Sequence, residues 1–379
     1  MAMEHHAVKH TALHRRHLDL GARMGEFAGY MMPLWYSSIK EEHEAVRSGV
    51  GLFDLSHMGE FFITGPQAFD LCQYLTCNDL RRIGDGQCQY TLFPTPEGGT
   101  VDDLIVYQQT PESYMMVVNA SNIDKDYAWV TKHNRFDCTV ENASDAYSLV
   151  AVQGPKTNAL LEAFGIKGIA AMPQFSWKRM KLHSRNLIVC GTGYTGERGF
   201  EIIVANEDAG WLWDALMKVG AQFGVKPIGL GARDTLRLEM AYSLYGQELD
   251  DETSALEAGL AWYVRTGVDF IGVEKLREQE QAGPGRKVVG LVVTEEKRSA
   301  APRHGAPVYS AEGEDIGEVT SGSFSPSLDK GIALASLKRG YWEPGMQVQI
   351  EIRGRRMNAE IVNLPFYRKP KPKKKAKAK

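Results

Sequence analysis

A chain of 379 residues with 43% hydrophobic and 24% charged residues has the balance of a folded globular protein, with room for several domains at roughly 100–200 residues each. Its net charge is −3, and the last eleven residues, KPKPKKKAKAK, hold seven lysines and no acid; without those positive charges the rest carries −10, which argues against a nucleic-acid binder. No run reaches the roughly 18 apolar residues of a membrane span, and the His-rich start MAMEHHAVKHTALHRRH lacks the apolar stretch of a signal peptide, so a cytoplasmic protein with a disordered tail over 369–379 is expected.

In chain order, KEEHEAVRSG (40–49) has a helical pattern and GEFFITG (59–65) that of a strand. After Gly98 and Gly99, Val101 to Tyr107 reads as a strand rich in β-branched residues. Alternation puts Asp102 on one face with Leu104 and Val106, and Asp103 on the other with Ile105 and Tyr107. A carboxylate taken out of water needs a partner, so one of the pair must answer to something beyond the strand. A strand YMMVVN (114–119) follows, then a helix from about Ile123 to His133 that Asn122 is placed to cap. YSLVAVQGP (147–155) reads as a strand, AGWLWDALMKVG (209–220) and GARDTLRLEMAYSLYG (231–246) as helices. The charged, Gly/Pro-punctuated EQEQAGPGRK (278–287) reads as a linker, beyond which short strands and turns indicate an all-β barrel or jelly roll. The fold class is α+β, with a ligand cleft expected between this unit and the body. The five cysteines show no CxxC spacing and the ten histidines are scattered, which indicates reduced thiols and no metal centre.

GTGYTG (191–196) satisfies the G-x-G-x-x-G pattern, but ERGFEIIV follows as a strand, leaving no helix N-terminus for a pyrophosphate. The stretch is instead a glycine-rich hairpin, in whose second strand Glu201 and Ile203 share a face. Arg233 and Arg237 lie four apart on one helix face; they either clamp a carboxylate or pair with Asp234 and Glu239 on an exposed helix. Asn119 closes a strand as either a ligand-facing group or a turn residue, and His57 reads as a satisfied loop histidine because no nucleophile motif accompanies it.

Nine segments, GARMGEFAGYMMPLWY, VGLFDLSHMGE, GGTVDDLIVY, VVNASNIDKD, GTGYTGERGFE, GLGARDTLRLE, LYGQELD, DFIG and TSGSFSPSL, stand in one order along roughly residues 10–368. In that order they resemble the T-protein family of the glycine cleavage system, the aminomethyltransferases. The resemblance implies a three-domain cloverleaf around a central folate channel. It divides the chain into 1–57 with 155–250, 58–154 with 251–282, and the β-rich 283–368. It also implies tetrahydrofolate as co-substrate, a lipoylated H protein as partner and no metal. Residue by residue, it makes Asp103 the central carboxylate, acting by charge stabilisation, positioning or proton transfer. Asp102 becomes its structural neighbour, held by backbone donors or a nearby base. Glu201 is implied to accept from the pterin edge, Asn119 and Tyr194 to line the pterin pocket, and Tyr90 and Met58 to pack beside it. Arg233 faces the lipoyl channel or the folate's glutamyl carboxylates, Tyr242 lies two turns further along the same helix, and Arg368 reaches the glutamyl tail. The stretch EMAYSLYG departs from the family's commoner small-residue pattern at Tyr242. Relatives of other function are a tetrahydrofolate-dependent demethylase of the dimethylsulfoniopropionate type and a non-enzymatic folate-binding iron–sulfur assembly factor. The latter resembles a Cys-containing motif where this chain has YSLYGQE.

Overall fold

The computed structural model describes residues 8–295 and 301–369, so the tail expected to be disordered lies, apart from Lys369, outside the described residues. Five strands, Gln87–Pro94, Thr100–Thr110, Ser113–Val118, Gly59–Thr64 and Thr139–Asn142, form one antiparallel sheet in that spatial order. Six more, Trp177–Leu182, Arg185–Cys190, Gly199–Ala205, Tyr147–Gln153, Gly51–Asp54 and Lys226–Ile228, form a second sheet whose last pair is parallel. The strand Tyr147–Gln153, which the sequence division put with the five-stranded unit, is instead bonded between Gly199–Ala205 and Gly51–Asp54.

The inner strands of both sheets are buried on both faces, which is why they are apolar at successive positions rather than alternate ones. Val150, Val152, Ile202 and Val204 pack under the helices Thr157–Phe164 and Asn206–Gly220, against Leu160, Leu212 and Trp213. On the other sheet Phe61, Ile63, Val106 and Met116 pack under Ala68–Leu75 and Ile123–His133. The two inner faces meet each other: Phe53, Leu149, Ala151 and Ile203 lie against Cys88, Tyr107, Met115 and Val117. At about 1.5–3 kcal/mol for each large apolar side chain withdrawn from water, this four-layer arrangement is what fixes the strand register.

The predicted helix at 40–49 is Ile39–Ser48, its start fixed by Ser38 Oγ accepting from Glu41 N at 3.2 Å. The helix at Ile123–His133 falls where expected, but the Asn122 side chain makes no cap bond, because a buried acceptor elsewhere takes it. The first half of the expected linker is helical, within Val273–Ala282, and only residues 283–285 join that helix to the next strand, Arg286–Val293. Beyond lies a closed six-stranded barrel, with strands Arg286–Val293, Lys330–Lys338, Asp315–Ser325, Pro307–Ser310, Gln347–Ile352 and Arg355–Val362 in that order. Among the described residues no helix is long and apolar enough to cross a membrane.

The glycine pair before the Asp102–Asp103 strand has a packing reason. A Cβ on Gly99 would stand 1.8 Å from the Asp251 carbonyl oxygen, so only a glycine lets that segment close over the strand's start. Gly99→Ala is therefore expected to destabilise the chain by about 1–3 kcal/mol or more, read as a lower denaturant midpoint.

Candidate active site

The strand Thr100–Thr110 lies between two neighbours, and the alternation expected for its acidic pair holds: Asp102 is fully buried on the helix side, while Asp103 is half-buried on the side facing the other sheet. Asp103 Oδ2 accepts from the Tyr90 hydroxyl at 2.9 Å, and its Oδ1 from Asn119 Nδ2 at 2.9 Å. The pairing register explains the first bond, since Tyr90 stands opposite Ile105, one same-face position along from Asp103. Tyr90 is itself backed by the Tyr263 ring at 4.7 Å. Asp102 accepts three bonds, from Asn119 N at 3.1 Å, Asn119 Nδ2 at 2.9 Å and Asn122 Nδ2 at 2.7 Å. One amide, that of Asn119, thus ties the two carboxylates together. Asn119 is the bridge between them.

Burial, then the Asp102 charge, push the Asp103 carboxyl up to about 7, against the opposing hydrogen bonds from Tyr90 and Asn119. A group poised there can exist in either protonation state near neutral pH, the condition for acid–base work. Two of its lone-pair positions are taken by Tyr90 and Asn119, and the others remain for a substrate.

The opposite wall comes from the six-stranded sheet. Glu201, paired across the hairpin with Cys190, is buried, and burial raises its carboxyl despite the Thr192 hydroxyl bonded to Oε2 and the nearby Arg233 charge. No described residue bonds Oε1. Arg233 stands over the Tyr194 ring at 4.7 Å and feels both Glu201 and Asp103's neighbour Tyr194, so these side chains share one region. Burial holds its guanidinium below the ordinary arginine range. The Tyr194 hydroxyl donates to the Ser243 carbonyl, and its ring lies 5.6 Å from that of Tyr242. The expected helical continuation to Tyr242 does not occur: the helix Leu230–Glu239 ends first, Ala241 adopts φ +57°, and the Tyr242 amide turns back to the Arg237 carbonyl at 3.0 Å. Tyr242 reaches Tyr194 from a turn, not from two helical turns on. Met58 packs on the layer between the sheets. His57 is buried with Nδ1 unpartnered, not the satisfied loop histidine expected; burial and Arg233 lower it to about 4, so it is neutral at physiological pH. Arg368 is exposed, between Tyr367, stacked on Arg47, and Lys369, paired with Glu197 at 3.0 Å.

Arg237 is not on an exposed face. It is buried and pairs with Asp234 at 2.7 Å and Glu248 at 3.2 Å, while Glu239 turns to Arg47 at 2.8 Å. The TSGSFSPSL segment supplies the other partners: Thr320 donates to Glu248 at 2.6 Å, Ser321 accepts from Arg237 at 3.1 Å, and Ser325 donates to Glu239 at 2.5 Å. That motif is the seam between barrel and body. Among the described residues no group of three or more His, Cys, Asp or Glu is gathered to hold a metal ion, and the five cysteines are free thiols.

Two face-to-face sheets with a poised carboxylate at their meeting layer, and a barrel clamped over them by buried ion pairs, define a multidomain enzyme built around a carboxylate. Residues 13–267 match the family described as GCVT N-terminal domain, and residues 286–368 the glycine cleavage T-protein C-terminal barrel domain. Aminomethyltransferases of Flavobacterium psychrophilum and Bacteroides fragilis are 45% and 46% identical to the chain, over 96% and 95% of it and 100% and 99% of their own lengths. The crystal structure of glycine cleavage system aminomethyltransferase T from Bartonella henselae superposes with a TM-score of 0.88 at 33% identity, covering 95% of this chain and 98% of that one. The chain belongs to the glycine cleavage T-protein family, and its activity is aminomethyl transfer.

Proposed function

We propose that the chain passes the one-carbon unit of an S-aminomethyl-dihydrolipoyl arm, carried by a lipoylated H protein, to tetrahydrofolate. The products are 5,10-methylenetetrahydrofolate, ammonia and the dihydrolipoyl arm. The observation that carries this reading is Asp103, a desolvated carboxylate held at both oxygens yet keeping acceptor capacity toward the opposite sheet. As ammonia leaves, positive charge develops at the aminomethyl carbon, and a preorganised carboxylate in a dry site stabilises it without reorganising. Its spare acceptor positions also hold the attacking N–H in line. The fixing of both oxygens supports charge stabilisation and positioning together, with proton uptake available near neutral pH.

Glu201 is the pterin acceptor in this reading. Thr192 fills one site on Oε2, leaving Oε1 and a second lone pair of Oε2 for two donors on one ring edge, which is what an N3–H and a 2-amino group present. Asn119, Tyr194, Tyr90, Met58 and Tyr242 are assigned to the walls of the same pocket. Arg233 lies close enough to Glu201 for their charges to act on one another, and its charge helps keep His57 neutral, which supports its facing the folate. Exposed Arg368 is assigned to the glutamyl carboxylates. The cytoplasm is the proposed compartment.

Glu201→Gln puts an amide donor against the pterin's donors. Tetrahydrofolate affinity, followed by calorimetric titration, is expected to fall about tenfold to a hundredfold, the worth of a charge-assisted hydrogen bond. Unchanged affinity would move the pterin elsewhere.

A further inference from the structure

Behind Asp103, on the helix side of its strand, two carboxyl groups face each other. Asp102 stands on the strand and Asp126 on the helix Ile123–His133, and their side chains lie within hydrogen-bond reach of each other. Asp126 is fully buried, and no donor among the described residues reaches either of its oxygens. The Asp102 carboxylate acts on it directly. Lys125, its neighbour on the helix, is committed elsewhere: Nζ donates to the Val101 carbonyl at 2.6 Å and to the Tyr245 hydroxyl at 2.5 Å, and lies 3.8 Å from Asp251. The other groups around the pair are Asp103 on the strand, and Tyr245 and Asp251 on the segment that closes over it. Two adjacent carboxylates in such a layer do not both ionise, and Asn119 and Asn122 place three charge-favouring bonds on Asp102, leaving it one of its four acceptor positions. The proton therefore resides on the partner that has no donors.

We propose that Asp126 is a positioning residue for the transfer reaction: it keeps its proton at neutral pH and donates it to Asp102, so that the pair bears one negative charge, which anchors Asn119 and, through Asn119, Asp103. The proposal rests on the assignment of Asp103 as the reacting carboxylate. It agrees with the direction in which burial, then Asp102, push Asp126, to about 11. The single charge left on Asp102 also helps raise Asp103 to about 7, which sets the acid limb of the rate profile there.

The test uses the full chain and four variants. At pH 7, the infrared difference between wild type and Asp126→Asn is expected to show the C=O stretch of a protonated carboxyl group, and its absence overturns the shared proton. In kcat against pH, Asp126→Asn replaces one neutral donor by another and leaves the acid limb where it is. Asp102→Asn removes the charge and moves the limb to lower pH. An Asp126→Asn limb displaced downward by about a unit would mean that Asp126 is ionised in the wild type, contrary to the proposal. Asp126→Leu, which loses the donor, is expected to lower kcat about tenfold with Asn restoring most of it. An Asp103→Asn enzyme with rate and limb intact would overturn the Asp103 assignment and the positioning role with it, while the infrared band would still report the proton on Asp126.

Discussion

Asp103→Asn is expected to lower the rate of one-carbon transfer about a hundredfold to a thousandfold while tetrahydrofolate still binds, because an oriented charge facing the transition state is lost but the pterin contacts are not. The Tyr90 hydroxyl can still donate to the new amide oxygen, but Asn119 Nδ2 then faces an NH2 group in place of an acceptor. Single-turnover kinetics beside a binding titration separate the two effects. Asp102→Asn has a different signature. Asp102 accepts three hydrogen bonds while fully buried, so the substitution leaves at least one amide without an acceptor, at a cost of about 1–3 kcal/mol in stability. The two aspartates thus divide into one whose loss is read in kcat and one whose loss is read first in the unfolding curve. A wild-type rate for Asp103→Asn would reject the division.

The largest stability effect is expected from Arg47→Met, at the seam between body and barrel. Arg47 bonds Glu239 at 2.8 Å, Glu197 at 3.1 Å and the Thr195 carbonyl at 2.6 Å, all well inside the protein. Removing it takes the guanidinium from two buried carboxylates and leaves Glu197 with Lys369 and Glu239 with His43, Ser325 and Ser327, at a cost of about 3 kcal/mol. The check is the first transition in a denaturant titration, followed by two probes because the chain has several cores. The loss should also depend on pH. Burial opposes ionisation of Glu239, but His43, Ser325 and Arg47 outweigh it and hold the carboxyl at about 2, below its ordinary 4.5. A depressed carboxyl contributes stability that is complete above its unfolded value and fades as pH falls through its folded one. The gap between wild type and Arg47→Met is therefore expected to narrow between about pH 4.5 and 2. A gap that widens on acidification would mean that Glu239 is not the partner that matters.

What could be read in the sequence was whatever depends on local period. The alternation at Val101 to Tyr107 placed Asp102 and Asp103 on opposite faces, and the strand after GTGYTG was legible from its β-branching, which kept the glycines out of a nucleotide fold. What depends on distant acceptors was not legible. Asn122 has the type and place of a helix cap, yet its Nδ2 donates to Asp102, twenty residues back, and the side chain so held makes no cap bond. Asp126 looked like an ordinary acid in a first helical turn, and nothing in its neighbours signals that the helix lies over the Asp102 face. Glu239 looked like a partner for Arg237 on the same helix; its real partner, Arg47, stands 192 positions away in sequence. The end of that helix at Glu239 hangs on Ala241 taking a positive φ, a conformation that an alanine does not advertise. The strand Tyr147–Gln153 went to the wrong sheet because two sheets buried on both faces present the same apolar pattern.

The most direct measurement is a reconstituted turnover with the full chain, aminomethylated H protein and tetrahydrofolate, quantifying ammonia and 5,10-methylenetetrahydrofolate in the same samples. Both are expected to appear together in equal amounts, and Asp103→Asn is expected to suppress both at equal enzyme concentration. Folded wild-type chain that releases ammonia without forming the methylene product, or forms neither, would contradict transfer to tetrahydrofolate.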